Sequence, residues 1–190
     1  MYNEFISDDD RKNVDELIGD RKPVITTLAR IEERKGHKYV LNALGEIKSK
    51  FPKILYLIAG KGPYLEEIKK FTSKLKLDDN VRFLGWITEP EKSLILKNSD
   101  LFVMTPTEVG ESVEGFGMAY IDASFHGLAS IGSNSGGIAD AIVNNETGIV
   151  CDTGNQKMIT EKILLLLENE QLRNQLGENG KKEQQKITHG

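Results

Sequence analysis

Short apolar runs alternate with longer amphipathic segments along most of the chain. The apolar runs are bounded by charged residues or glycine and predict buried strands at residues 23–29, 54–59, 81–84, 101–104, 129–131 and 148–150. Between them, apolar residues recur three and four positions apart, as for Val40, Leu41, Leu44 and Ile47, which is typical of a helix with one buried face. Helices are predicted at residues 37–50, 64–75, 91–97, 118–125, 138–143, 157–168 and 171–185.

The alternation of strands and helices predicts an α/β fold, because each strand returns to the same sheet through a helix. We expect a Rossmann-like, doubly wound parallel six-stranded sheet with helices on both faces and strand order 3-2-1-4-5-6. In that order strands one and four are neighbours, and ligands bind beyond their carboxyl ends. Residues 1–22 are polar apart from Val14, Leu17 and Ile18 and predict a linker or one short helix, and residues 23–190 form the predicted domain.

Two loops are predicted to meet where strands one and four end. The loop after strand one carries Arg30 and Lys35, and the loop after strand four carries Glu114-Gly115-Phe116-Gly117 and opens a helix. The first turn of a helix has backbone N–H groups without internal partners and the positive end of the helix dipole. Glycines in front of it let a ligand approach the backbone closely, so this loop predicts a phosphate site.

The charged side chains around this crevice indicate which ligand would fit. Arg30 and Lys35 suit a diphosphate, with the guanidinium forked onto two oxygens and the ammonium as a point charge. Glu114 and Asp122 suit the hydroxyls of a ribose or a sugar. Together these groups describe a sugar nucleotide. The alternative is that the charged run at residues 30–35 is a solvated loop with surface ion pairs, and the residues alone leave both interpretations open.

Composition excludes several classes of protein. The 190 residues suit one well-buried domain, and the net charge of −4 argues against general nucleic-acid binding. No apolar run approaches the ~20 residues of a membrane span, and the polar start of the chain is unlike a signal peptide. The single cysteine, Cys151, fits a reducing cytoplasm and offers no metal-ligand spacing.

Other candidate features predict structure rather than chemistry. The Gly60-Lys61-Gly62-Pro63 segment lacks the G-x-x-x-x-G-K-[ST] spacing of a P-loop and predicts a turn after the second strand. No nucleophile elbow of the G-x-S-x-G type is present. Trp86 is interpreted as a packing residue. The glycines in residues 135–137 mark a second loop that opens a helix and could shape a sugar pocket.

Several ordered fragments resemble the C-terminal domain of glycosyltransferase family 4, a group of retaining GT-B enzymes. The resemblance covers residues 24–176. Its fragments are Ala29-Arg30, Arg34-Lys35-Gly36, Ile58-Ala59-Gly60-Lys61-Gly62-Pro63, Val81-Arg82-Phe83-Leu84-Gly85, Asn98-Ser99-Asp100-Leu101-Phe102-Val103, Glu114-Gly115-Phe116-Gly117, Gly127-Leu128, Ser135-Gly136-Gly137 and Glu146-Thr147-Gly148. So many fragments in the family's order make the resemblance specific.

The resemblance implies a role for each candidate site residue. Arg30 and Lys35 would bind the donor diphosphate, Glu114 would contact the transferred sugar, and these three would form the catalytic set. Asp122 would hold the ribose in place of the glutamate that is usual in the family. The remaining donor-binding residues would be Gly115, Phe116, Gly117 and Met118 at the helix start, and Ile87, Glu89 and Lys92 beside the base. No metal and no cofactor are expected.

The resemblance also implies an activity. Residues 23–190 would be the nucleotide-sugar-binding domain of a retaining hexosyltransferase that uses a UDP- or GDP-sugar and a glycan or lipid acceptor, in cytoplasmic synthesis of cell-surface polysaccharide or glycolipid. The acceptor would bind an N-terminal GT-B domain absent from these residues, which would also provide any peripheral membrane association. The isolated domain is expected to be inactive and to bind no nucleic acid. The alternatives are a non-catalytic nucleotide-sugar-binding module and a structural or partner-binding α/β domain.

Overall fold

The fold is a single parallel sheet, seen in a computed structural model that describes residues 6–107 and 117–189. The strands are β1 (Val24–Leu28), β2 (Leu55–Ala59), β3 (Val81–Gly85), β4 (Leu101–Val103), β5 (Ser130–Ser133) and β6 (Gly148–Cys151). They pair in the order β3-β2-β1-β4-β5-β6, and every pair is parallel. The predicted doubly wound six-stranded sheet is therefore confirmed, including the contact between β1 and β4.

The helices follow the predicted sequence of elements. They are α1 (Asp8–Ile18), α2 (His37–Ile47), α3 (Leu65–Lys74), α4 (Glu89–Asn98), α5 (Met118–Phe125), α6 (Ile138–Ala141), α7 (Gln156–Glu168) and α8 (Glu170–His189), with a 3-10 helix at Glu33–Lys35. Helix α4 starts two residues before its predicted start at residue 91. The reason is a capping box, in which the Thr88 side chain accepts from the Glu91 N–H and the Glu91 carboxylate accepts from the Thr88 N–H.

Successive side chains of each buried strand point to opposite faces of the sheet, so apolar residues cover both faces. On β4, Leu101 and Val103 pack with helices α2 and α7, whereas Phe102 packs against Tyr120 of α5. This alternation follows from the period of two along a strand. It gives the two layers of helices that the sequence predicted.

Helix α1 is docked on the same sheet. Its Val14 and Ile18 are buried against Leu55 and Leu57 of β2 and Leu94 of α4. Residues 1–22 were predicted to be a linker or one short helix, and residues 8–18 form a helix. The domain boundary at residue 23 stays a prediction. None of the helices in the described ranges has the length and apolarity that crossing a bilayer requires.

Candidate functional site

Backbone hydrogen bonds join the loops that follow β1 and β2. The Ile31 N–H donates to the Lys61 carbonyl at 3.0 Å, and the Tyr64 N–H donates to the Ile31 carbonyl at 3.1 Å. A Cβ atom at Gly60 would lie 1.9 Å from the Ala29 carbonyl oxygen, and one at Gly62 would lie 2.2 Å from that of Ile31. Both positions therefore require glycine, and the predicted turn after β2 is a close contact between two loops.

A cavity of about 520 Å³ opens beyond the carboxyl ends of β1, β2 and β3. We call it the β1–β3 cavity. Main chain and short side chains form much of its wall, and the charged residues in its lining come from the loops after β1 and β2 and from the start of helix α4. The lining residues are Leu28, Ala29, Arg30, Ala59, Gly60, Lys61, Gly62, Gly85, Trp86, Ile87, Glu89 and Lys92.

Trp86 lies at the rim of this cavity and is 80% exposed. Its interpretation as a packing residue is therefore wrong. The reason is topological: β3 is an edge strand, and Gly85, with φ of 67°, turns the chain away from the sheet directly before the tryptophan. The Gly85-Trp86 pair at the end of a predicted strand was the signal in the sequence for an exposed aromatic residue.

The two cations of the loop after β1 occupy different environments. The Arg30 side chain is 73% exposed, lines the cavity and lies 3.2 Å from the Glu32 carboxylate. Lys35 ends the 3-10 helix and is only 8% exposed. The alternative interpretation of residues 30–35 as a solvated loop therefore fits Arg30 but not Lys35. Lys35 is also not among the residues that line the β1–β3 cavity.

Contacts of Gly36 and Arg34 bring the loop after β1 against the exit of β4. A Cβ atom at Gly36, whose φ is 79°, would lie 2.1 Å from the Thr105 carbonyl oxygen. The Thr107 N–H donates to the Arg34 carbonyl at 2.7 Å. The predicted convergence of these two loops is thus present. Three candidates on the second loop, Glu114, Gly115 and Phe116, lie outside the described residues.

Helix α5 begins directly after that segment. Gly117 is its N-cap, with φ of 70°, and no side chain among the described residues hydrogen-bonds to this end of the helix. Met118, the first helical residue, is exposed. Within the described residues the start of α5 thus carries no side-chain cap, as expected of an anion site, although Gly117 and Met118 do not line the β1–β3 cavity.

An ion-paired group of three side chains connects the cavity to α5. The Lys92 Nζ atom lies 3.0 Å from Asp122 Oδ2 and 2.6 Å from Glu89 Oε2. The side chains of Lys92 and Asp122 are only 19% and 16% exposed. Burial alone would lower the pKa of Lys92, but the hydrogen bonds to Glu89 and Asp122 outweigh it and raise that pKa. Asp122 is therefore bound to a residue that was predicted to lie beside the base.

A buried hydrogen-bonded chain lies beneath the Arg30 loop. The Thr27 hydroxyl donates to the Val103 carbonyl, so the Tyr56 hydroxyl donates to Thr27, at 2.8 Å. The Tyr56 oxygen then accepts from Nδ1 of His37, at 3.4 Å. These donor assignments make Nδ1 the protonated nitrogen of a neutral His37.

His37 was not among the residues singled out from the sequence. Burial lowers the pKa of its imidazole to about 4, against the opposing influence of the Arg30 carbonyl and with a further lowering by the Lys35 charge. The ring is therefore neutral near pH 7. No pattern in the sequence signals this residue, because a histidine at the first position of a helix has no characteristic spacing.

The described residues hold no cluster of three or more His, Cys, Asp or Glu side chains arranged to bind a metal ion.

Residues 8–183 match the model of the family described as glycosyl transferases group 1. A GDP-mannose-dependent alpha-(1-6)-phosphatidylinositol monomannoside mannosyltransferase of Mycolicibacterium smegmatis is 32% identical over 148 residues, which are 77% of this chain and 38% of that protein. A 2-deoxystreptamine N-acetyl-D-glucosaminyltransferase of Niallia circulans is 28% identical over 82% of this chain and 38% of its own length.

Solved structures share the fold at lower identity. HepE of Anabaena, in complex with UDP and glucose, superposes with a TM-score of 0.81 at 19% identity, over 95% of this chain and 48% of that one. The C-terminal domain of a group 1 glycosyl transferase from Francisella tularensis gives a TM-score of 0.78 at 20% identity, over 97% of this chain and 95% of that one. This chain spans about two fifths of the length of the curated relatives named above. The family model, the mannosyltransferase and the fold agree with the resemblance of the sequence, and the chain belongs to the glycosyl transferases group 1 family, whose structures have the GT-B fold.

Proposed function

We propose that this chain is the donor-binding part of a retaining hexosyltransferase that uses a UDP- or GDP-sugar. The observation that carries the proposal is the β1–β3 cavity, where Arg30 faces a wall that Lys92 links to Asp122. A cation for a diphosphate thus lines this cavity, and the carboxylate proposed for the ribose is joined to its lining through Lys92. Two similar proteins support a nucleotide donor: HepE was solved with UDP, and the mycobacterial relative is named for GDP-mannose.

The donor would lie across the carboxyl edge of the sheet. We place the base against Trp86 and Ile87, the ribose near Asp122, and the diphosphate between Arg30 and the start of α5. The transferred sugar would then extend towards Glu114. This arrangement uses each group for the chemistry that it does best: the aromatic ring stacks, the carboxylate accepts from hydroxyls, and the helix start binds an anion.

The reaction would break the bond between the anomeric carbon and the diphosphate oxygen and form one to an acceptor hydroxyl oxygen, whose proton can pass to the leaving diphosphate. Negative charge therefore grows on the leaving oxygen. Arg30 and Lys35, together with the backbone N–H groups of Gly117 and Met118, would stabilise that charge. Two cations and the positive end of a helix dipole would offset most of the charge of a departing diphosphate. We therefore propose a donor site that works without a metal ion.

The names of two relatives support a proposal for the acceptor class. One acts on a phosphatidylinositol mannoside, and an alpha-monoglucosyldiacylglycerol synthase of Streptococcus pneumoniae is 30% identical over 60% of this chain. We propose a glycan or lipid acceptor in the synthesis of cell-surface polysaccharide or glycolipid. The enzyme would work in the cytoplasm and associate peripherally with the membrane through residues outside this chain.

The single tryptophan gives a direct test of donor binding. We expect UDP or GDP to quench the fluorescence of Trp86, because the base stacks on its exposed ring. Trp86→Ala should weaken binding about tenfold in calorimetry, within the range for one base on one aromatic ring. Val143→Ala is the matched control, since Val143 is an exposed apolar residue outside the cavity lining. Wild-type protein that gives neither heat nor quenching with either nucleotide would contradict the proposed function.

A second experiment tests where the acceptor binds. We expect the 190-residue chain to transfer no sugar to an added acceptor, because catalysis requires donor and acceptor to be held together. Slow hydrolysis of the donor is compatible with this expectation, since water needs no acceptor site. Radiolabelled donor with acceptor present and absent distinguishes the two reactions. Sustained, acceptor-dependent transfer would show that these residues contain the acceptor site as well.

A further inference from the structure

We propose that Lys92 recognises the donor ribose and positions Asp122, so that a lysine–aspartate pair replaces the single glutamate usual in the family. This inference rests on the proposed function. The resemblance placed Lys92 beside the base. The structure shows its ammonium bridging two carboxylates, Glu89 on α4 and Asp122 on α5.

The hydrogen-bond donors of Lys92 can be counted. An ammonium group has three N–H donors and no acceptor. One N–H is directed to Glu89 Oε2 at 2.6 Å and one to Asp122 Oδ2 at 3.0 Å. The third has no partner within residues 6–107 and 117–189, and Lys92 lines the β1–β3 cavity. A donor is therefore available to a ligand at the wall nearest Asp122.

The length of Asp122 explains why a second group is needed. An aspartate is one methylene shorter than a glutamate, so its carboxylate ends roughly 1.5 Å nearer the helix. A hydrogen bond is lost when its length grows by much less than that. Asp122 also gives one oxygen to Lys92. A ribose hydroxyl can accept from the Lys92 ammonium and donate to the other Asp122 oxygen, so the pair would make two hydrogen bonds to one hydroxyl.

The position of Lys92 on α4 makes the arrangement rigid. The Lys92 N–H donates to the Thr88 carbonyl at 2.9 Å, in the turn that the Thr88–Glu91 capping box fixes. A neighbouring bond of 2.9 Å between Ser93 Oγ and His126 Nε2 joins α4 to α5 a second time. The ammonium and the Asp122 carboxylate are thus held in a constant relation, which recognition of a hydroxyl requires.

The test compares a ribonucleotide with its 2′-deoxy analogue. We would measure the affinities of UDP, GDP and their 2′-deoxy forms by calorimetry for the wild type, Lys92→Met and Asp122→Asn. Methionine keeps the apolar stem and removes the ammonium. The wild type should prefer the ribonucleotide about tenfold, and both variants should lose most of that preference. The double variant should lose no more preference than either single one, because both residues serve one contact.

Lys69→Met is the matched control, since it removes a lysine that is paired with Glu66 on α3 at 2.9 Å and lies outside the cavity lining. It should keep the ribose preference. A Lys92→Met protein with the wild-type preference would overturn the inference and leave the proposed function intact. The wild-type measurement needs no folded variant: equal affinity for both sugars also overturns the inference. Failure of the wild type to bind any nucleoside diphosphate would instead overturn the proposed function.

Discussion

Protein in which Arg30 and Lys35 are both replaced by methionine is expected to bind UDP or GDP at least about 100-fold more weakly than the wild type. Each lost hydrogen bond to a charged group costs about 1.5 to 3 kcal/mol, and about 1.4 kcal/mol is a factor of ten in affinity. Arg30 is exposed in the cavity and free to turn towards an anion, whereas Lys35 is held by its surroundings. Binding of uridine or guanosine, which lack the diphosphate, should change little.

The control for this result is a second protein that loses the same charge elsewhere. Lys22→Met with Lys69→Met removes two lysines that pair with Asp100 and Glu66 and do not line the cavity. It should bind the nucleotide like the wild type. Thermal unfolding should accompany the titrations, because Lys35 is buried and its replacement can lower stability. If the folded double variant of Arg30 and Lys35 binds the nucleotide as tightly as the wild type, the loop after β1 does not bind the diphosphate.

The second large effect concerns stability at low pH. The pKa of His37 is about 4 in the folded protein and near 6.5 when unfolded. The unfolded chain therefore binds the proton first as the pH falls. Neutral His37 contributes stability that is fully present above about pH 6.5 and is lost as the pH approaches 4. The difference of about 2.5 pKa units corresponds to roughly 3 kcal/mol.

Urea unfolding of the wild type and of His37→Gln, from about pH 7.5 down to about pH 4.5, measures this contribution. Carboxylates titrate in both proteins, so the difference between the two curves isolates the histidine. We expect the free energy of unfolding to fall by about 2.5 kcal/mol more in the wild type than in the variant. Parallel curves would mean that His37 is protonated as readily in the folded state as in the unfolded chain.

The topology of the sheet could be predicted because it depends on a repeated pattern. The strands were predicted from short runs rich in apolar residues and the crossovers from helical spacing, so local errors at element ends did not change the order. The errors came where one side chain decided the outcome. Helix α4 starts early because Thr88 caps it, and Trp86 is exposed because β3 has no neighbour on one side.

The candidate site was less accessible to sequence reasoning, because it depends on pairs of side chains far apart in the chain. Lys92 and Asp122 are separated by 30 positions, yet they form one ion pair. The burial of Lys35 is equally hidden, since a charged run in a sequence is normally a solvated surface. Arg30 was predicted beside the ligand crevice, and it lines the cavity there.

The contact between the loops after β1 and β2 has a consequence for how such a protein can evolve. The bonds that hold these loops together join main-chain atoms, and Gly60 and Gly62 contribute no side chains to them. The shape of the cavity can therefore survive extensive replacement of the residues around it. Substitutions at positions such as Trp86 and Glu89 can then change which base or sugar is bound, while the backbone fold is retained. A backbone match of 0.81 at 19% identity is the outcome expected of such a scaffold.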